Sequence, residues 1–157
     1  MKIKNENIEV KKLNELKLVG FRVLCPGDQY IKEIPLAAKK LSEELHSIRH
    51  VKNATVQIGA FVVDAESPEF DGYWVCVEVD EYEEVPEGMT SLTVPAQQYA
   101  SLTHVGSNTE IMRKYEMLHE WIATSDYKRI TSAWHLEIFQ EWENPRTIKV
   151  ELLDTVE

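Results

Sequence analysis

Two apolar stripes at helical spacing, and the strands that follow them, constrain this chain more than any other feature of its sequence. Ile34, Ala38, Leu41 and Leu45 recur at the spacing of one helix face. Ile111, Tyr115, Leu118 and Ile122 repeat that pattern 77 residues later. The same offset carries Gly59 onto Leu136 and Phe61 onto Ile138. The order strand, helix, strand, strand is thus read twice. Each sheet must cover one face with its helix. The expected fold is α+β: two tandem duplicated βαββ modules form a curved antiparallel sheet, with both main helices on one side. A cleft between the modules is a natural place for a ligand. The expected division is a single domain over 1–157, with module one at about 8–80, an acidic linker at 81–88 and module two at about 89–157.

The elements are expected as follows. Residues 1–7 are polar and expected to fray. Glu9 to Leu24 reads as one strand or bent strand, with Gly20 marking a bulge or bend and Pro26-Gly27-Asp28 ending it. Pro35 suits the first turn of a helix that closes between Arg49 and Asn53. Val56–Val63 and Tyr73–Val79 read as strands. In the second of these, Tyr73, Val75, Val77 and Val79 share one face and Trp74, Cys76 and Glu78 the other. The acidic linker is read as a solvated connection. Thr90–Val105 is another strand region, and Ser107 with Glu110 has the spacing of a capping box for the second helix.

Composition excludes several classes. A chain of 157 residues, 43% apolar and 28% charged, is one ordinary globular domain. No apolar run approaches the ~18–20 residues that span a bilayer, and Met1–Glu6 lacks a signal-peptide core. The expected location is cytoplasmic, without membrane contact. Cys25 and Cys76 suggest neither a disulfide framework nor a metal site, and His104 and His135 read as ordinary polar residues. No metal or cofactor is expected. A net charge of −10 argues against direct nucleic-acid binding and favours cations over anions. No nucleophilic serine motif, phosphate loop or dinucleotide fingerprint is present.

The stretch Ser132–Trp142 holds the candidate site. As a strand it puts Trp134, Leu136, Ile138 and Trp142 on one face and His135, Glu137, Phe139 and Glu141 on the other. A carboxylate between aromatic neighbours suits a flat, cationic ligand; a wet strand face would look the same. At the 77-residue offset Glu137 falls on Ala60, so the halves differ at this position. An unpaired buried carboxylate costs several kcal/mol, so Glu137 in an aromatic cleft calls for a cationic partner or a raised pKa. Phe139 shares its face. Tyr73 and Trp74 point to opposite faces, so at most one lines a cleft. Trp121, beside the second helical stripe, reads equally as core or as cleft wall. Tyr99 reads as structural.

Several stretches resemble the bacterial gyrase-inhibitor-like effector-binding domain family. They are Val85-Pro86-Glu87-Gly88-Met89, Val94-Pro95-Ala96-Gln97-Gln98-Tyr99-Ala100, His104-Val105-Gly106, Tyr115-Glu116-Met117-Leu118-His119-Glu120-Trp121-Ile122, Tyr73-Trp74-Val75-Cys76-Val77-Glu78-Val79 and Leu136-Glu137-Ile138-Phe139. The resemblance covers nearly the whole chain from about Val10. It implies tandem βαββ modules and an aromatic pocket in which a late-strand glutamate, here Glu137, reads cationic ligands. It favours Tyr73 over Trp74 as a pocket residue. It also implies a role as the ligand-sensing part of multidrug-responsive transcription regulators, or stand-alone action against gyrase poisons, or hydrolysis of strained cyclopropane toxins. Phe139 departs from the family's usual Tyr, which removes a proton donor. Pro35-Leu36-Ala37-Ala38 lacks the usual aromatic, which implies a roomier pocket. With about nine residues before the first strand, no helix-turn-helix is expected ahead of the domain.

Three functions are therefore expected in turn. The first is stand-alone binding of small hydrophobic or cationic aromatic compounds by Glu137, Phe139, Tyr73 and Trp121. The second is a hydrolase with Glu137 as base. The third is a protein-interaction module, a gyrase modulator or transcription co-regulator, whose acidic Glu81–Glu87 meets a basic partner.

Overall fold

A computed structural model describes residues 8–157, and the expectation for residues 1–7 lies outside the described residues. The chain forms β1 (Ile8–Leu13), β2 (Leu16–Val23), α1 (Tyr30–Glu43), β3 (Gln57–Val62), β4 (Tyr73–Glu78), β5 (Thr90–Val94), β6 (Gln97–Gly106), α2 (Ile111–Ala123), β7 (Trp134–Glu141) and β8 (Ile148–Thr155). All eight strands join one antiparallel sheet in the order β1-β6-β8-β7-β3-β4-β2-β5. Among the described residues the fold is α+β, with the two α-helices on an open sheet.

The strand order places β3 and β7 together at the centre. Pairing also crosses the acidic segment: β1 pairs with β6, and β5 with β2. The first strand region is consequently two strands, because Asn14-Glu15 turns the chain from one pairing to the other. Gly20 is not a bulge. A Cβ there would lie 2.0 Å from the Val75 carbonyl oxygen, so glycine permits the close approach of β2 to β4.

Two apolar layers hold the sheet. On one face, α1 sits over β2 and β4, burying Ala38 and Leu41 against Val19, Phe21, Val75 and Val77. On the same face α2 buries Leu118 and Ile122 against Ala100, Leu102, Val150 and Leu152. Register proves the shared side, since Val75 pairs with Gly59, Gly59 with Glu137 and Glu137 with Leu152. Directly paired residues point the same way. Neither α1 nor α2 lies on the opposite face, yet Leu18, Trp74, Cys76, Tyr99, Leu136 and Leu153 are buried there in one cluster. Partly buried Leu13 of β1 and Leu92 of β5 pack against that same cluster from opposite edges of the sheet. The sheet therefore curls round the face opposite α1 and α2. Tyr99, expected to be structural, is wholly buried in it.

Three local expectations are corrected. Helix α1 starts at Tyr30, so Pro35 lies inside it instead of at its first turn, and the helix ends at Glu43. Gln29 N–H bonds the Pro26 carbonyl in a short turn that already winds the chain before Tyr30. At the start of α2, Ser107 Oγ accepts from the Thr109 N–H, and a one-turn helix of Asn108–Glu110 precedes Ile111. Third, the 77-residue offset fails at β3. Leu136 faces the curled interior with Ile58 and Ala60, whereas Gly59 faces the helices. One further residue puts Gly59 on Glu137, which is its cross-strand partner. A single-residue slip exchanges the two faces of a strand.

Candidate ligand-binding site

The two helices stand over the outer strand pairs, which leaves β3 and β7 between them. Three cross-strand pairs on the helix side fill that central strip: Gln57 with Phe139, Gly59 with Glu137, and Phe61 with His135. Gln57 is buried and its Nε2 donates to the Ala38 carbonyl at 3.0 Å, which ties β3 to α1. At the middle pair one side chain is missing and the other is a carboxylate.

Glu137 is held by two phenols. Tyr73 Oη, from β4, donates to Oε1 at 2.5 Å. Tyr115 Oη, from α2, donates to Oε2. Glu137 and Tyr115 are half-buried and Tyr73 is buried, so part of the Glu137 residue meets solvent although its carboxylate lies deep among protein atoms. Burial raises the Glu137 pKa above the ordinary value of 4.5, the two phenol hydrogen bonds oppose that rise, and the charge of Asp154 adds to it. Both phenols are pushed well above 10, first by burial and then by Glu137 itself. They therefore stay protonated and act as donors.

A second charged group lies alongside. Asp154 of β8 is 1% exposed. Its Oδ2 is 2.7 Å from His119 Nε2 and 3.3 Å from Arg129 Nε. Neither contact has hydrogen-bond geometry; the Arg129 contact is an ion pair by distance, and the His119 contact is one only with the imidazole protonated. His119 lies one helical turn after Tyr115, and their rings are 5.6 Å apart. His135 is wholly buried, its Nδ1 3.1 Å from the Ala133 carbonyl oxygen and its Nε2 without a partner. Burial lowers its pKa. His104 is buried too and its Nε2 meets the Ser107 carbonyl oxygen at 2.7 Å. Both polar side chains thus lie in the interior of the fold.

Of the four expected site residues, Glu137 and Tyr73 are in direct contact and Phe139 shares their face. Phe139 is half-buried and packs with the α2 core. Trp121 stacks on Tyr127 at 6.4 Å. It is six residues beyond Tyr115, hence roughly 120° round the helix from the phenol that reaches Glu137. Tyr115 belongs to the second apolar stripe, and the sequence pattern does not assign it the donor role it has at Glu137. The available signal was polar tips at Tyr115 and His119, one turn apart on an otherwise apolar face. A recess of about 490 Å³ opens elsewhere, between Phe21–Cys25 and the outer side of α1 at Glu33, Leu36 and Lys40. Among the described residues, one group has ligand atoms close enough for a metal: His50, Glu81 and Glu83, all exposed, with Glu83 also 3.0 Å from Arg49. No described helix is long and apolar enough to cross a membrane.

No curated protein matches the chain. Among solved structures, SAV2435 bound to tetraphenylphosphonium is similar with a TM-score of 0.72 and 17% identity, covering 96% of this chain and 93% of that one. An EcmrR–DNA complex is similar with a TM-score of 0.70 and 17% identity over 96% of this chain, which spans only 57% of the EcmrR chain. A hydrolase from Listeria innocua is similar with a TM-score of 0.54 and 16% identity, covering 96% and 92% of the two chains. At such identities these likenesses establish the fold alone. The family model for the GyrI-like small molecule binding domain matches residues 6–153, and the chain belongs to that family.

Proposed function

We propose that this chain binds bulky or flat hydrophobic cations over the central strip, with Glu137 as the countercharge. The observation that carries this reading is a half-buried carboxylate to which two protonated phenols donate. The phenols orient both oxygens and oppose the rise in the Glu137 pKa that burial causes. A ligand of diffuse charge gains from a fixed carboxylate and from aromatic faces at once, each face contributing roughly 0.5–2 kcal/mol. Tyr73, Phe61 and Phe139 supply such faces on the same side of the sheet. The tetraphenylphosphonium in the SAV2435 structure is a cation of that kind. The test is titration with tetraphenylphosphonium, followed by tryptophan fluorescence. Glu137→Gln is expected to weaken binding about tenfold or more; equal affinity would remove the charge role.

A second reading draws on the same hydroxyls. The missing phenol at Phe139 argued against an enzyme, but Tyr73 and Tyr115 both bring a phenol to Glu137. Glu137, its pKa raised, would take a proton from water as the water oxygen attacks an electrophilic carbon. A phenol would return a proton to the departing atom. Turnover of an electrophilic cyclopropane compound, lost in Glu137→Gln, would support it.

A further inference from the structure

We infer that Gly59 is the positioning residue of the site: its missing side chain is what lets the Tyr73 phenol reach Glu137. Tyr73 stands on β4 and Glu137 on β7, with β3 between them. Adjacent strands are ~4.8 Å apart, so the phenol has to lie flat across a whole strand to make this contact. The strand it crosses is empty at the crossing point. A Cβ on residue 59 would lie 1.7 Å from Tyr73 Oη, 2.3 Å from Cζ and 2.9 Å from Cε1. No side chain at 59 coexists with this placement of the ring. Phe61, two residues on, stacks on the ring at 5.8 Å and 16°, closing the other side of its channel. Gly59 is itself buried and paired with Val75 on one side and Glu137 on the other, and the flanking positions on the same face of β3 carry the Gln57 and Phe61 side chains.

The role rests on the reading of Glu137 as the cation-holding group, and it deepens that reading. Residue 59 determines whether the carboxylate has two phenol donors or one. With one, the ionised form is held less well, and the site binds a cation only at higher pH. Ligand selectivity would then depend on a residue that touches no ligand.

The experiment is a cycle on residues 59 and 73, with a titration of Glu137 by carboxyl-labelled NMR and binding of tetraphenylphosphonium across pH. Gly59→Ala is expected to raise the Glu137 pKa, as Tyr73→Phe does, and to weaken the cation about threefold to tenfold near pH 6 with less loss at pH 8. A role confined to stability would move neither titration. Because Gly59→Ala could fold poorly, Gly59→Ala/Tyr73→Leu is the companion variant. It removes the collision, so it should melt higher than Gly59→Ala alone while keeping the raised Glu137 pKa. An unchanged Glu137 titration in Gly59→Ala, or a melting loss undiminished by Tyr73→Leu, would overturn the inference. Should Glu137→Gln bind the cation normally, the proposed function fails, whereas the coupling of 59 to 73 is still measured by melting and by NMR.

Discussion

Gly59 and Glu137 stand directly opposite each other where β3 meets β7, the first without a side chain and the second a carboxylate on which phenols from β4 and α2 converge. The asymmetry creates the site. Polar groups meet at the centre of a sheet whose remaining helix-facing positions are mostly apolar.

Glu137 is expected to cost stability in exchange for function. Its folded pKa is raised above the unfolded value. The protonated form is thus favoured by folding, a contribution fully present below the unfolded pKa and lost as pH rises through the folded one. Glu137→Gln mimics the protonated form. Thermal melts should show the variant more stable than the parent at pH 8, with the gain vanishing toward pH 4.

The Tyr115 phenol should matter through Glu137. Tyr115→Phe removes one donor, so the carboxyl pKa rises further and the ionised fraction near neutrality falls. Cation affinity should drop about threefold to tenfold at pH 6 and less at pH 8, read by fluorescence titration.

Asp154 makes an asymmetric prediction. It is 1% exposed, while the side chains of His119 and Arg129 are 36% and 28% exposed. Removing the carboxylate leaves the Arg129 guanidinium and the His119 imidazole within reach of water. Removing both side chains leaves a buried, uncompensated carboxylate, which costs ~3–5 kcal/mol. In urea melts, His119→Leu/Arg129→Met should therefore lose more stability than Asp154→Asn.

His135 should contribute to acid lability. Its folded pKa is lowered by burial, so its stabilising neutral form prevails above the unfolded value of 6.5 and is lost as pH falls through the folded one. His135→Leu should flatten the loss of stability that begins near pH 6.5, measured by urea midpoint against pH.

Much of this was legible in the residues. The helical stripes at Ile34–Leu45 and Ile111–Ile122 gave both helices, and the alternation of Tyr73–Val79 gave its faces correctly. Glu137 stood out as a carboxylate among aromatics. The one-residue slip between β3 and β7 was hidden, because Gly59 and Ala60 are both small and apolar runs look alike in either register. With the slip went the partnership of Gly59 and Glu137. Tyr115 was hidden because a tyrosine in an apolar stripe packs as core and donates from its tip at once. The depth of His104 and His135 had no signal, since burial there comes from strands distant in sequence.

The most direct measurement is calorimetry of tetraphenylphosphonium binding in buffers of different ionisation enthalpy, from about pH 8 to about pH 5, which counts protons exchanged on binding. If ionised Glu137 holds the cation, the parent protein should release protons as pH falls toward the raised carboxyl pKa, with affinity falling in step, and Glu137→Gln should release none. Proton release that is absent across this range, or equal in Glu137→Gln, would contradict the account.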